Sequence, residues 1–212
     1  MRFVSILAIV GLFPCLAWAD GPTSQPATAP AFDDSTPLGF MHASSQSLPA
    51  GGLPAALAIF AANDARERQT ARAEADYILA ISRVELAARQ KWGQQADDDF
   101  VHALGEKTDT DVDQAKIEAH GDHAQLTFKG EETTPENLIR LDGHWKIDIG
   151  ADIKQMEKQN NSIEASNMYC AKATVMISKL GHDLDDGKFT SSADLSKEAA
   201  AQVAQLNNAP PM

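Results

Sequence analysis

Cysteine is nearly missing from this chain: of 212 residues, only Cys15 and Cys170 carry a thiol. Cys15 falls in an amino-terminal stretch that reads as a cleavable leader, so the mature chain keeps Cys170 alone and has no intramolecular disulfide. An exported domain without such staples must be held by its hydrophobic core. Cys170 lies in a helical pattern with Tyr169, Ala171 and Val175. A buried, inert thiol is expected there, because no histidine or cationic neighbour stands beside it to lower its pKa. Positive charge is also scarce, with 18 Lys and Arg against 30 Asp and Glu and a formal net charge of −12. Such an acidic surface repels phosphate backbones and anionic membranes, which argues against a nucleic-acid partner. Past the leader no run approaches about 18 uncharged apolar residues, so no membrane span is expected in the mature chain. Internal repeats, a glycine-rich phosphate loop, G-x-S-x-G, H-E-x-x-H and C-x-x-C are all missing.

What is present begins with the leader. Arg2 supplies a positive start, Val4 to Leu16 is an uncharged apolar run, and Ala17-Trp18-Ala19 offers small residues at the positions a signal peptidase needs. Residues 1–19 therefore read as a signal peptide, and the chain from Asp20 onward as an exported protein, periplasmic or extracellular. Pro14 before Cys15 speaks against lipid attachment at that cysteine. Residues 20–52 carry Pro22, Pro26, Pro30, Pro37 and Pro49 among Ser, Thr, Ala and Gly, with no apolar periodicity. They read as a disordered tether in which Phe32, Leu38, Phe40 and Met41 dock weakly at most.

Helical spacing takes over at Leu53. Leu53, Leu57 and Phe60 predict a short helix closed by Asn63-Asp64. Residues 66–92 are rich in Ala, Arg and Glu, with a stripe of Tyr77, Ile81, Val84 and Ala88 widened by Ile78, Leu79 and Leu86. A stripe this wide predicts a helix covered on more than one side, stopped by Gly93. A further short helix is expected over 95–104, followed by an acidic loop over 105–114. The period then changes to two. Strands are expected over 116–120, from His123 to Phe128, from Leu138 to Leu141 and over 145–149, with hairpin turns at Gly121-Asp122 and Asp142-Gly143. The strands predict an antiparallel meander with one apolar face, covered by the preceding helices. Asn161 and Glu164 are spaced as a capping pair for a helix over 162–180, with Gly181 as its stop, and Ser191 or Ser192 opens a last helix to Leu206. The expected fold is α+β. Residues 53–150 form a roll-like domain of N-terminal helices on a curved antiparallel sheet, 151–206 a C-terminal helical extension, and 207–212 a disordered tail.

The pieces G-D-x-A-x-L (121–126) and L-x-R-x-D-G-x-W-K-I (138–147) resemble the sheet of the nuclear-transport-factor-like superfamily, also called ketosteroid-isomerase-like or SnoaL-like. That resemblance covers 117–149 and, loosely, 53–150. It implies a conical α+β roll that often encloses an apolar pocket. It carries over no active-site residue, because the family's catalytic carboxylates and tyrosines have no matched positions here. The family's usual strand between the early helices is not evident, and 151–206 has no counterpart.

The remaining chemistry is sparse. His120 and His123 flank the Gly-Asp turn and would face each other across the hairpin, about 5 Å apart at Cβ. They form a candidate metal pair only if His144 or Asp122 adds a third ligand, and two exposed turn histidines is the plainer expectation. Asp109-x-Asp111-x-Asp113 starts like a calcium loop, but Gln114 stands where Gly is required and His120 where Glu should be. Asp183-x-Asp185-Asp186-Gly187 is out of register for one. Trp145 and Phe128 read as core, and Asp148 on the opposite strand face is a poor candidate for a pocket acid. The expectation for function is an exported non-catalytic binding or interaction module without cofactor. Its partner would be another extracytoplasmic protein or a small apolar ligand. The alternatives are an isomerase- or hydratase-type enzyme with an apolar pocket, and a weak metal or cation binder.

Overall fold

Thr36 opens the first helix. In the computed structural model its hydroxyl accepts from Gly39 N–H at 3.0 Å, with Pro37 at the first helical position. The structure describes residues 35–129 and 135–208; the expected leader over 1–19, residues 20–34 and 130–134 and the expected tail beyond 208 lie outside it. Helix α1 runs Pro37–Ala58, so the expected tether does not extend to residue 52. Phe40, Met41 and Leu48 recur on one side of the helix and are buried. That apolar gain outweighs the low helical propensity of this proline- and glycine-containing stretch. The helix is kinked at Gly52, whose φ of 58° and ψ of −150° are accessible to glycine, with Pro54 just beyond.

Phe60–Ala61, expected as the end of a helix, instead forms a short strand, β1. Helix α2 (Ala65–Trp92) is capped by Asp64, whose carboxylate accepts from Glu67 N–H at 2.8 Å, and it stops at Gly93 with φ 91°. Helix α3 covers Gln94–Leu104. The acidic loop expected after it contains a short helix, α4 (Asp109–Asp113), held by a Thr108–Asp111 capping box. The strands follow as β2 (Lys116–His120), β3 (His123–Thr127), β4 (Glu136–Leu141) and β5 (His144–Asp148). The β4–β5 turn places Asp142 and Gly143 at φ 52° and 87°, the geometry an Asp-Gly hairpin requires.

Three helices complete the chain: α5 (Ile149–Lys158), α6 (Ile163–Asp185) and α7 (Ser192–Asn208). The α6 cap is Ser162 rather than Asn161, its hydroxyl accepting from Ala165 N–H at 3.2 Å. Gly181 does not stop α6; the helix runs four residues past it, to Asp185. Ser191 caps α7, accepting from Asp194 N–H while the Asp194 carboxylate accepts from Ser191 N–H.

The sheet order is β1-β5-β4-β3-β2. The four longer strands make the expected antiparallel meander, but β1 pairs with β5 in parallel, with Phe60 beside Ile147. Among the described residues the fold is therefore α+β with a mixed, open sheet of five strands. Ala124, Leu126, Phe128, Trp145 and Ile147 are buried, as the alternation predicted. Cys170, Ala173, Ile177, Leu180 and Leu184 of α6 and Leu195 and Ala199 of α7 join the same apolar cluster as α2 and the sheet. Residues 151–208 are thus built into the core rather than appended to it. Helix α6 lies along α2 and α7 along α3. Among the described residues no helix is long and apolar enough to cross a membrane.

Candidate functional site

The outward face of the sheet carries Lys116, Glu118, His120, His123, Gln125, Asn137, Lys146 and Asp148 by strand alternation. His120 and His123 are register partners at the β2–β3 turn, and both are exposed. They border a small hollow of about 180 Å³ with Glu118, Gln125, Asn137 and Asp148. His144 lies at the start of β5, opposite Leu141 of β4, and opens onto a different cleft. Asp148 is committed to capping α5, accepting from Ala151 N–H at 3.1 Å. Among the described residues no group of three His, Cys, Asp or Glu side chains is placed to hold a metal ion. The three histidines are therefore not gathered into a coordination set, and Asp109, Asp111 and Asp113 are helical residues rather than a cation loop.

The larger opening lies between α1 and the β4–β5 hairpin. It is an open cleft of about 550 Å³, bordered by Phe40, Ser44, Ile59, Leu141, His144 and Trp145. Trp145 forms its floor: the indole is buried, and its Nε1–H donates to the Ser35 carbonyl at 2.9 Å. Lys146 reaches across to donate to the Ala58 carbonyl at 2.9 Å. Leu141 is 38% exposed on the rim. The cleft is thus apolar at its base, with hydroxyl, imidazole and ammonium groups at its edge, the pattern of a site that holds an apolar group and orients it with few polar contacts. A second groove of about 460 Å³ runs between α2 and α6, walled by small side chains including Ala73, Ala80, Ala171 and Ser178.

The interior holds a feature that sequence reading missed: buried carboxylates. Glu85 of α2 is 1% exposed, and neither of its oxygens has a hydrogen-bond partner. Burial, reinforced by the Asp97 carboxylate, holds its pKa well above the usual range, while Arg89 opposes this. Asp97 of α3 accepts from Arg89 Nε at 2.9 Å, yet burial still pushes its carboxyl up to about 6. Asp109 is likewise pushed up to about 6 by burial, with His42 of α1 opposing at 3.7 Å. On the same face of α2, three turns nearer its N-terminus, Glu74 is raised by burial and then by Asp152. Asp152 itself rises to about 7, although Asn137 Nδ2 donates to it at 2.7 Å. A signal for these groups was available: Glu74, Ile78, Ile81, Glu85 and Ala88 fall at spacings of three and four. Both glutamates therefore lie within the apolar stripe of α2.

None of these raised acids borders the three clefts just described. Cys170 is buried, and burial followed by the Glu74 and Glu106 carboxylates drives its thiol far above the ordinary cysteine range. That is the opposite of what an attacking thiolate needs. Tyr77 donates to Glu106 Oε1 at 2.6 Å, a hydrogen bond that ties α2 to the loop after α3. No family model matches the chain, and neither a curated protein nor a solved structure matches it.

Proposed function

We propose that this chain is an exported, non-catalytic binding module that takes an apolar group of its partner into the cleft between α1 and the β4–β5 hairpin. The observation that carries the reading is the cleft itself, about 550 Å³, with Trp145 and Phe40 at its base and the exposed Leu141 on its rim. Its polar edge groups, among them Ser44, His144 and Lys146, suit orientation of a guest. Export rests on the leader-like residues 1–19. The partner is a side chain of another extracytoplasmic protein or a small apolar ligand. The sheet motifs that resemble the nuclear-transport-factor-like superfamily fit this reading, since a roll of helices over a meander commonly presents such a hollow.

The test compares Leu141→Arg with the unaltered chain. The first assay is fluorescence of 8-anilinonaphthalene-1-sulfonate titrated onto purified protein. The second is pull-down from the native extracytoplasmic fraction. Loss of dye binding and of a specific co-purified protein in the variant, with an unchanged circular dichroism spectrum, supports the reading. Equal behaviour of both proteins in both assays overturns it.

A second reading, an isomerase- or hydratase-type enzyme, draws on the raised carboxyls of Glu74 and Asp152, the latter lifted to about 7 as a general acid working near neutrality would be. It requires a substrate path to α2 and α5. Unchanged protection of Asp152 from a water-soluble carbodiimide at neutral pH, with the exposed carboxylates modified, would exclude that path.

A further inference from the structure

Strand β2 is the outer strand of the sheet, and among the described residues it pairs with β3 alone. Lys116, Glu118, Ala119 and His120 are exposed, and Ile117 is half-buried against the core. The turn at Gly121-Asp122 has two residues, with His120 facing His123 and Gly121 at φ 63°. In a two-residue hairpin the residues flanking the turn exchange both ladder bonds, and bonding alternates from there. His120, Glu118 and Lys116 therefore direct their backbone groups toward β3. Ile117 and Ala119 direct N–H and C=O away from the sheet, an unmatched edge that templates a further strand.

We propose that this edge pairs with β2 of a second copy of the chain, antiparallel, about a two-fold axis through Ile117. That axis sets Ile117 opposite Ile117 with outward-pointing backbone groups on both sides. It also sets Lys116 opposite Glu118 and Glu118 opposite Lys116. Within one strand these two side chains already form an ion pair on the outward face. Pairing two copies therefore gives four charges that alternate in sign. The competing axis through Glu118 opposes two carboxylates and is repelled. On the inner face the second Ile117 continues the apolar surface that Ile117 borders. An extended segment of a different protein would use only the backbone groups, and it would be indifferent to an exchange of the Lys116 and Glu118 charges. The inference is independent of the α1 cleft, which lies at the other end of the sheet.

Sedimentation equilibrium of the mature chain, from micromolar to millimolar concentration, tests it. The expected result is a concentration-dependent dimer. Lys116→Glu alone and Glu118→Lys alone each weaken it by about tenfold or more, because each sets two like charges face to face. The double exchange Lys116→Glu with Glu118→Lys returns the affinity to near the starting value. Ile117→Pro, which removes the outward N–H, abolishes the dimer. These positions lie on an exposed hairpin edge, and near-ultraviolet circular dichroism checks that each variant keeps its fold. A chain that stays monomeric at millimolar concentration overturns the proposal, as does a dimer insensitive to the single reversals or one the double exchange fails to restore.

Discussion

Asn137 of β4 donates to the buried Asp152 of α5 at 2.7 Å, and this contact fastens the helix after the sheet onto the sheet itself. The same amide group lies 3.1 Å from Gln155 Oε1, one turn farther along α5. Burial nevertheless dominates at Asp152 and lifts its carboxyl to about 7, from an ordinary value of 3.8.

A stability that increases on acidification follows. An acid whose folded pKa is raised binds its proton more tightly when folded. At pH 8 Asp152 is charged in both states, and the native state bears the full cost of burying that charge. Between pH 7 and about pH 4 the native state takes up the proton and the cost disappears. Glu74, Glu85, Asp97 and Asp109 shift in the same direction. Urea unfolding is expected to show greater stability at pH 5 than at pH 8. Asp152→Asn should flatten the profile and stabilise the protein at pH 8 by about 2–4 kcal/mol. A pH profile that falls steadily from pH 8 to pH 5 would contradict this.

Arg89 is the cation against which Asp97 is buried, and Asp97 is 0% exposed. Arg89→Met is expected to leave that carboxylate buried with the Gln94 amide donating to it at 3.2 Å but no cation beside it, and to cost about 3–5 kcal/mol at pH 8. The loss should shrink at pH 5, below the value of about 6 to which burial raises Asp97. Adding Asp97→Asn to Arg89→Met should recover most of the loss at pH 8. Thermal melts of the three variants at both pH values measure the coupling.

Gly181 of α6 faces Val84 of α2: a Cβ at this position would stand 3.2 Å from Val84 Cγ2. Its conformation is helical, so Gly181→Leu brings no backbone strain, and its gain in helix propensity opposes the cost of overpacking. Overpacking is expected to destabilise the protein by about 1–3 kcal/mol. Pairing Gly181→Ala with Val84→Ala should be better tolerated than the leucine variant. Chemical denaturation of both variants checks this.

Cys170 is 2% exposed and its thiol is held protonated. Ellman's reagent at pH 8 is expected to leave the native protein from Asp20 onward unmodified and to titrate one thiol once urea unfolds it. Rapid labelling of the native protein would show that the α2–α6 interface opens readily.

Local rules account for much of what was legible. The α2 stripe, the glycine at residue 93, the Asp142-Gly143 turn and the alternation of Ala124, Leu126, Trp145 and Ile147 each depend on neighbours within a few positions. The His120–His123 pairing was readable for the same reason, since a two-residue turn fixes its flanks. The tether reading fails over residues 37–52 because their prolines and glycines describe an isolated chain, whereas the helix there is retained by burying Phe40, Met41 and Leu48 against distant elements.

The sequence by itself determined where α2, α3, α6, α7 and the two hairpins form, because periodicity, caps and turn conformations are short-range properties of the chain. Only the tertiary structure decided that Phe60–Ala61 extends the sheet beside β5, that Gly181 is a contact rather than a stop, and that Glu74, Glu85, Asp97 and Asp152 are enclosed. Each of these depends on what a residue meets far along the chain, and on whether water is excluded there.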